Sequence, residues 1–375
     1  MSLLYATHAR IHLGNIRDNL RGIRAAVGPG RKVLVAVKAN GYGHGAVAVS
    51  RMAEATGTAE WLGVATVPEG LELRDAGIGL PILKFGPTFP WELEAAVEAG
   101  ITLAVCSREE AVAAGEAARA AGRPALVHLK VDTGMGRVGV SEAEAPELAR
   151  LLARTPGVEL GGVFTHLPDS DSADPAFTRE QIGRFRETAE AVQEAAGRRL
   201  FVHCANSGAV LGHEAAWLDM VRPGIMVYGY RPGPGAPATI PLKPGMSLVT
   251  RVSFLKKVAA GTAIGYGRSW VAPSDTFIAT IPAGYADGFN RLFSNRGRVL
   301  VGGRSFPVVG RVCMDQSMVD LGPETDVSVG DEVVLMGRSG SAEISCEEWA
   351  AKLGTITYEV TCQVSPRVAR VNDPY

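Results

Sequence analysis

The sequence predicts a TIM-type (β/α)8 barrel followed by a smaller, mostly β domain, and three observations support this α/β plus β fold class. Short apolar runs alternate with Ala-, Glu- and Arg-rich segments through the first part of the chain, giving eight strand–helix units. A proline-rich stretch, Arg231–Gly245, follows them, and beyond it short runs are separated by glycine turns. Eight units of this length favour a closed barrel over an open doubly wound sheet. We therefore place the barrel at residues 1–233 and the β domain at residues 234–375.

The barrel is predicted to begin with a helix and a fully buried strand. Apolar residues recur at helical spacing between Leu13 and Val27, and the glycines around Pro29 end that helix. The run Val33–Val37 lacks the polar alternation of a strand with one wet face, so we expect it to be buried on both faces. Lys38 follows this strand directly, where barrel enzymes place their chemistry. The common alternative is a lysine that simply reaches solvent from a strand end.

The other strands are predicted from continuous apolar runs bounded by turn residues. In the barrel these runs are Trp61–Val67, Leu80–Phe85, Ile101–Cys106, Ala125–Val131, Val158–Thr165, Leu200–Ala205 and Leu218–Val221. In the β domain they are Ser247–Val258, Thr276–Ile281, Val299–Val301, Pro307–Val312 and Asp331–Met336, with one helix at Ser345–Leu353.

Composition excludes several classes of protein. The 375 residues include 38 basic and 39 acidic side chains, so nothing points to nucleic acid as a partner. The five cysteines are odd in number and form no CxxC pair, which fits reduced thiols better than disulfides or a zinc site. The amino terminus lacks the pattern of a secretion signal, and no apolar run has the length of a membrane span. We therefore expect a soluble, cytoplasmic enzyme with no bound metal.

Reactive side chains follow several of the predicted barrel strands. Because the carboxyl ends of barrel strands open at one face, we expect these residues to surround a single mouth. They are Lys38 and Tyr42 after the first strand, Arg137 in DTGMGRVG, His166 in VFTH, Ser207 in HCANSG, and Arg222, Gly224 and Ile225 in RPGI.

The last two barrel loops predict a phosphate site. Loops after the seventh and eighth strands bind phosphate in many barrels, and here they offer the Ser207 hydroxyl and amides beside glycines. A lysine nucleophile and a phosphate cradle in one barrel favour pyridoxal phosphate held as an imine. A sugar-phosphate aldolase is the alternative, but such an enzyme has no evident need for a second β domain.

At this point the chain resembles the alanine racemase family, the two-domain, fold-type III enzymes that depend on pyridoxal 5′-phosphate. The resemblance covers nearly the whole chain. The motifs that support it are AVKANGYGHG, LKVDTGMGRVG, HCANS and RPGIMVYG in the barrel, and IGYGRSW, GYADGFNR, VGRVCMDQSMVDL and TITYEVTCQVSPRV beyond it.

The resemblance implies a role for each matching residue. Lys38 forms the imine and exchanges the α-proton of the substrate on one face, while Tyr266, from the partner subunit, does so on the other. Arg137 and the Met314 amide hold the substrate carboxylate, and Arg222 faces the pyridine nitrogen. The cofactor is further held by His166, which is linked to Tyr266 and Arg222, and by Tyr42, Ser207, Gly224, Ile225 and Tyr358. Cys313, Asp315, Tyr285 and Lys130 are supporting residues, and Lys130 is carbamylated in many family members, which braces Arg137.

The resemblance thus implies a homodimer with composite active sites that interconverts L- and D-alanine and supplies D-alanine for peptidoglycan. A racemase needs proton carriers on both faces of one carbon, which explains the pairing of Lys38 with Tyr266. The alternatives are a broad-specificity amino-acid racemase, a related decarboxylase and a non-catalytic cofactor carrier. Arg222 argues against decarboxylation because a guanidinium does not readily give up a proton to the pyridine nitrogen. The second domain argues against a carrier.

Overall fold

The computed structural model describes residues 4–375, and these form two compact units. The larger unit is Asn15–Lys243, and the smaller consists of Pro244–Tyr375 together with the amino-terminal residues up to Gly14. Within residues 4–375, none of the helices combines the length and the apolar character that a bilayer crossing requires.

The larger unit is a parallel barrel, as predicted. Its strands follow the order β10-β2-β3-β4-β5-β6-β8-β9. Backbone hydrogen bonds also join the two ends of this order, from Asp219 N to Val202 O (3.1 Å) and from Arg222 N to Ala205 O (2.7 Å). The bounds are β2 Lys32–Ala36, β3 Trp61–Val64, β4 Ile82–Lys84, β5 Ile101–Val105, β6 Ala125–Asp132, β8 Val158–Phe164, β9 Phe201–His203 and β10 Met220–Val221, with the short β7 (Val140–Ser141) beside β6.

Helices alternate with these strands and cover the barrel. They are α1 Leu13–Val27, α2 Lys38–Tyr42, α3 Ala46–Thr56, α4 Val67–Asp75, α5 Pro90–Glu98, α6 Arg108–Ala120, α7 Ala145–Arg154, α8 Ala176–Ala196 and α9 Ser207–Gly212, with 3-10 turns at Glu214–Ala216 and Ile225–Tyr228. Side-chain N-caps fix where α4, α6 and α9 begin. Thr66, Ser107 and Asn206 each accept a hydrogen bond from a backbone N–H of the first helical turn.

The smaller unit is built on a second sheet, of ten strands, with the order β12-β15-β18-β17-β16-β19-β11-β1-β21 and β20 beside β19. The bounds are β1 His8–His12, β11 Met246–Arg251, β12 Phe254–Val258, β15 Thr276–Ile281, β16 Arg298–Val301, β17 Arg304–Val309, β18 Ser317–Gly322, β19 Glu332–Ser339, β20 Ala342–Ile344 and β21 Ala369–Asp373. The hairpin β13 Ala263–Ile264 and β14 Trp270–Val271, helices α10 Cys346–Leu353 and α11 Thr357–Cys362, and 3-10 turns at Tyr266–Arg268, Tyr285–Asp287 and Arg291–Phe293 complete it.

The amino-terminal strand corrects the domain boundary expected from the sequence. Residues 1–233 were assigned to the barrel, but β1 pairs antiparallel with β11 and parallel with β21. Ala9 and Ile11 are fully buried in that sheet. Because ladder hydrogen bonds and apolar contacts both attach β1 to the smaller unit, the chain crosses from the β unit into the barrel near Gly14.

Two histidines lie inside the barrel core. His128 and His203 are almost completely buried, and a hydrogen bond joins Nε2 of His203 to Nδ1 of His128 (3.0 Å). His203 also stacks on Phe164, with ring centroids 4.9 Å apart. Desolvation lowers the pKa of His128 to about 3 and holds the pKa of His203 well below its ordinary value, so both rings are neutral at pH 7.

These two rings predict a stability that falls in mild acid. The unfolded chain takes up a proton at each histidine below about pH 6.5, whereas the folded chain does not. Each ring therefore lowers the free energy of unfolding by about 1.4 kcal/mol per pH unit below that point, and the pair by about 4 kcal/mol between pH 8 and pH 5. Urea unfolding of wild type and His128→Gln across this range measures the effect.

The two histidines together cause part of the pH dependence of the free energy of unfolding, and His128→Gln should lose about half of that part. His8→Gln is the matched control, because His8 lies on the partly exposed face of β1 and its replacement leaves the buried pair intact. An unchanged pH slope in His128→Gln would show that the buried rings do not control acid stability.

Candidate active site

The lysine at the end of β2 is held in a left-handed turn. Ala39, Asn40, Gly41 and Tyr42 have φ values of 53°, 52°, 61° and 52°. Non-glycine residues rarely adopt this conformation, and a run of them costs on the order of 1–2 kcal/mol per residue. The turn directs the chain sharply after Lys38, whose ammonium lies 6.0 Å from the centre of the Tyr42 ring.

Side chains from neighbouring segments stabilise this strained turn. The Asn40 side-chain oxygen accepts a hydrogen bond from the Ala46 N–H (2.9 Å), which joins the turn to the start of α3. The Glu69 carboxylate accepts from the Ala39 N–H (2.7 Å) and also from the Ala65 N–H (2.7 Å). Glu69 thus connects the loops after β2 and β3, so the position of Lys38 does not depend on local backbone preference.

Tyr42, Ser207, Gly224 and Ile225 meet at the ends of β2, β9 and β10. The Ser207 hydroxyl accepts a hydrogen bond from the Gly224 N–H (2.9 Å). A Cβ atom built on Gly224 would lie only 2.5 Å from the Tyr42 hydroxyl oxygen, so glycine is required for this approach. Ile225 is fully buried behind Gly224. Two hydroxyls beside a glycine backbone form a cradle that suits a phosphate group.

Asn206 holds this cradle against the loop after β8. Its side-chain amide donates to Leu167 O (2.8 Å), while its oxygen accepts from the Ser170 hydroxyl (2.6 Å) and from the Ala209 N–H (3.1 Å). One side chain therefore caps α9 and joins two loops of the mouth. Asn206 lies in the HCANSG motif, in which the sequence analysis assigned a role only to Ser207.

Arg222 is buried at the centre of the barrel mouth. Its guanidinium donates to Thr165 O (2.7 Å), Cys204 O (3.1 Å) and Nδ1 of His203 (2.9 Å). Because the guanidinium is only a donor, His203 accepts at Nδ1 and therefore carries its proton on Nε2, which donates to His128. Burial lowers the pKa of Arg222 to about 10, so the group stays positively charged at neutral pH.

The histidine bonded to Arg222 is thus His203, whereas the sequence reasoning expected a link from Arg222 to His166. His166 is half-buried at the mouth, where Arg222, Arg137, Lys130 and Lys38 act on it electrostatically. Burial first, and then these four cations, lower its pKa to about 3. Four positive charges therefore converge around one neutral imidazole, which is an arrangement suited to anionic ligands.

Lys130 and Arg137 lie on opposite sides of a sharp turn after β6. The Lys130 ammonium donates to Phe85 O (2.9 Å), and burial lowers its pKa to about 8. Arg137 is exposed, in a loop whose shape is fixed by the Asp132 carboxylate, which accepts from the amides of Gly134 (3.0 Å) and Gly136 (3.1 Å). An amine of lowered pKa is partly neutral at pH 7 and can add carbon dioxide. Carbamylation of Lys130 remains a prediction, which the mass of the intact chain tests.

The smaller unit presents Tyr266 in an exposed groove. Tyr266 follows Gly265, which has a φ of 74°, and 73% of the tyrosine is accessible to solvent. Such exposure is unusual for a large aromatic residue. The groove is lined by Tyr266, Tyr285, Arg291, Arg311, Val312, Cys313, Met314, Asp315 and Gln316, so the sequence-predicted residues of this unit converge there, apart from Tyr358, which lies in α11.

A buried carboxylate fixes the Met314 segment. Asp287 is completely buried and accepts two hydrogen bonds from Arg367, at 2.7 and 2.9 Å, while Arg367 also donates to Asp315 (2.8 Å). The backbone N–H of Tyr285 donates to Cys313 O (3.0 Å). A Cβ on Gly284 would collide with the carbonyl oxygens of Cys313 and Met314. The close packing at Gly284 and the Asp287–Arg367 ion pair therefore fix the position of the segment that carries Met314.

Sequence reasoning missed several of these residues. His203 and His128 had a usable signal, because each is a polar residue inside an apolar strand. Arg311 and Arg291 lie inside the motifs VGRVCMDQSMVDL and GYADGFNR but were given no role, and they add positive charge to the groove. Asp287 and Arg367 lie inside the motifs GYADGFNR and TITYEVTCQVSPRV, but nothing local indicated their contact, since they are 80 positions apart and meet only in the folded chain.

Comparison with known proteins assigns both parts of the chain to one family. Residues 11–232 match the family model of the alanine racemase N-terminal domain, and residues 245–372 match that of the alanine racemase C-terminal domain. The alanine racemase of Cutibacterium acnes is 49% identical over 365 residues, which cover 97% of each chain. That of Chlorobaculum tepidum is 47% identical, covering 97% of this chain and 95% of the relative.

Solved structures agree with this assignment. The alanine racemase of Clostridium difficile 630 superposes with a TM-score of 0.94 at 37% identity, over 99% of this chain and 97% of that one. The alanine racemase from D-cycloserine-producing Streptomyces lavendulae gives a TM-score of 0.92 at 38% identity, over 100% and 98% of the two chains. From these matches and from the site described above, the chain belongs to the alanine racemase family.

Proposed function

We propose that this enzyme interconverts L- and D-alanine with pyridoxal 5′-phosphate held at the barrel mouth. The observation that supports this most directly is the cradle of Tyr42, Ser207 and Gly224 beside the end of β2, which Lys38 follows. The cradle accepts a phosphate, and the cationic surroundings of His166 attract a second anionic group. The residues present thus fit the cofactor used by the family.

When bound, pyridoxal phosphate acts as an electron sink that makes the α-hydrogen of an amino acid acidic. In this proposal Lys38 holds the cofactor covalently and, once released, moves a proton on one face of the substrate carbon. Tyr266 moves a proton on the opposite face. Arg137 and the Met314 amide hold the substrate carboxylate, and Tyr358 adds to the phosphate site.

Arg222 would face the pyridine nitrogen of the cofactor. Its guanidinium is fixed by Thr165 O, Cys204 O and His203, and its pKa of about 10 keeps it charged. Because a charged guanidinium only donates hydrogen bonds, a pyridine nitrogen facing it would stay unprotonated and accept one. We infer that an unprotonated pyridine nitrogen makes the cofactor a weaker electron sink and so disfavours side reactions such as transamination. A carboxylate at position 222 would instead favour a decarboxylase.

We further propose that the enzyme works as a homodimer whose active sites are composite. The groove around Tyr266 exposes Met314 and Tyr285 as well, at 53% and 43%. Contiguous exposed apolar side chains on a soluble protein mark an interaction surface. We place the enzyme in the cytoplasm, in agreement with its cysteine pattern, and its product D-alanine in peptidoglycan synthesis.

The cofactor assignment predicts that borohydride reduction fixes a pyridoxyl group on Lys38. Reduction of the yellow holoenzyme followed by peptide mapping should place the label there, and loss of optical rotation of added L-alanine should report racemisation. Lys38→Ala should abolish both. Lys32→Ala, at the opposite and exposed end of the same strand, is the matched control and should retain both. A pyridoxyl group on a different lysine would overturn the assignment of Lys38.

The role of Tyr266 predicts a one-sided loss of proton exchange. Tyr266→Phe should slow α-proton exchange with solvent mainly from L-alanine, by about 100-fold or more, because a general base contributes at least this much. The cofactor absorbance should persist. Tyr375→Phe, an exposed tyrosine of the same unit outside the groove, serves as the control. Equal loss from both enantiomers in deuterium-labelling experiments would contradict a two-face mechanism.

The composite site predicts recovery of activity in mixed dimers. Lys38→Ala and Tyr266→Phe subunits are each inactive alone, but one site of a heterodimer contains both intact residues. Dissociation and random reassociation should restore about one quarter of wild-type activity, since half of the dimers are mixed and each has one intact site. Differently tagged subunits allow the heterodimer to be purified and assayed. An inactive purified heterodimer would mean that both proton carriers come from one chain.

A further inference from the structure

A serine, a histidine and an aspartate form a hydrogen-bonded chain across three strands of the smaller unit. The Ser247 hydroxyl oxygen lies 2.9 Å from Nε2 of His12, and Nδ1 of His12 lies 2.6 Å from an Asp373 carboxylate oxygen. Ser247, His12 and Asp373 lie outside the barrel mouth and outside the Tyr266 groove. This hydrogen-bonded chain has the connectivity that serine hydrolases use, on an unrelated fold.

Strand register explains why these residues meet. β1 lies between β11 and β21, and His12 is directly opposite Asp373 in the parallel pair. Ser247 is opposite Arg10 in the antiparallel pair, one step along the same face from His12. Alternate residues of β1 face the core, so His12 lies on the partly exposed face of the sheet.

The hydrogen-bond partners fix the proton positions. A carboxylate only accepts, so Nδ1 of His12 must carry a hydrogen and donate it to Asp373. In a neutral imidazole the other nitrogen then has a lone pair, and Nε2 accepts from the Ser247 hydroxyl. His12 is therefore held in the tautomer that can take a proton from serine, which is the function of the aspartate in a catalytic triad.

The serine is also open to small molecules. Ser247 is partly exposed, and the side chains of His12 and Asp373 are 28% and 46% accessible. A Cβ on Gly337 would lie 2.6 Å from the Ser247 hydroxyl oxygen, so only glycine at 337 allows this backbone to pack closely against one side of the serine. Arg10, which is directly opposite Ser247 in the antiparallel pair, is paired with Glu332. The surroundings thus favour an uncharged substrate over an anionic one.

We propose that Ser247 is a nucleophile toward small, uncharged, activated esters, with His12 as general base and Asp373 as its orienting partner. The Ser247 oxygen attacks the ester carbonyl carbon, and His12 takes the hydroxyl proton. The C–O bond of the ester then breaks, and the departing alkoxide receives that proton. Water hydrolyses the acyl-serine through the same base and releases a carboxylic acid, so the net reaction is ester hydrolysis. This activity is independent of alanine racemisation.

A neutral fluorophosphonate probe tests the proposal on the holoenzyme. The serine oxygen forms a bond to phosphorus, fluoride leaves, and the proton passes to His12. Peptide mapping should locate the adduct on Ser247, and Ser247→Ala should remove it while racemase activity is retained. His12→Gln should slow labelling about 100-fold or more, because the general base is lost.

Two controls separate reactivity from structure. Ser253→Ala removes an exposed serine of the same unit whose hydroxyl donates to Thr280 O, and labelling should be unchanged. Asp373→Asn should slow labelling and hydrolysis of p-nitrophenyl acetate, while the melting temperature reports any structural damage separately. An adduct absent from Ser247, or an equal labelling rate in His12→Gln of intact fold, would show that the three residues only fasten the strands together.

Discussion

The hydrogen bonds between β2 and β10 are the constraint on which the active site depends. Lys32 N donates to Asp219 O (2.9 Å) and Ala36 N to Pro223 O (3.1 Å). Because Lys38 follows β2 and the Gly224 loop follows β10, closure of the barrel here places the lysine beside a phosphate cradle from distant sequence. The Tyr228 hydroxyl reinforces this seam by donating to Ala36 O (2.8 Å) across 192 positions.

The positive charge at the barrel mouth comes from lysine and arginine side chains and not from histidines. His166, His203 and His128 all have depressed pKa values, mainly because they are desolvated, so they contribute no charge. Lys38, Lys130, Arg137 and Arg222 supply positive charge to the same region. A cofactor phosphate and a substrate carboxylate are the groups that balance such a field. In the proposed function, these charges would attract both groups.

Strands buried on both faces were the most predictable part of the fold. The eight barrel runs matched because such strands are continuous apolar segments, and Thr276–Ile281 matched β15 at both ends. The strand His8–His12 was missed, since it alternates and its partners lie more than two hundred residues away. The barrel-mouth residues were found because strand ends share one face. That His203 and not His166 bonds Arg222 depends on how neighbouring strand ends are oriented, which no local pattern encodes.

The exposure of Tyr266 links the chemistry to assembly. A racemase needs proton carriers on two faces of one carbon, and the barrel mouth supplies Lys38 for one of them. Tyr42, the tyrosine of that mouth, has its hydroxyl against Gly224 in the phosphate cradle. Tyr266 is instead presented to solvent on a loop whose neighbours are fixed by a buried Asp287–Arg367 pair. Rigid presentation of an exposed aromatic side chain is useful only if another surface receives it. The proposed homodimer would therefore need its second copy of the chain for the reaction itself and not only for stability.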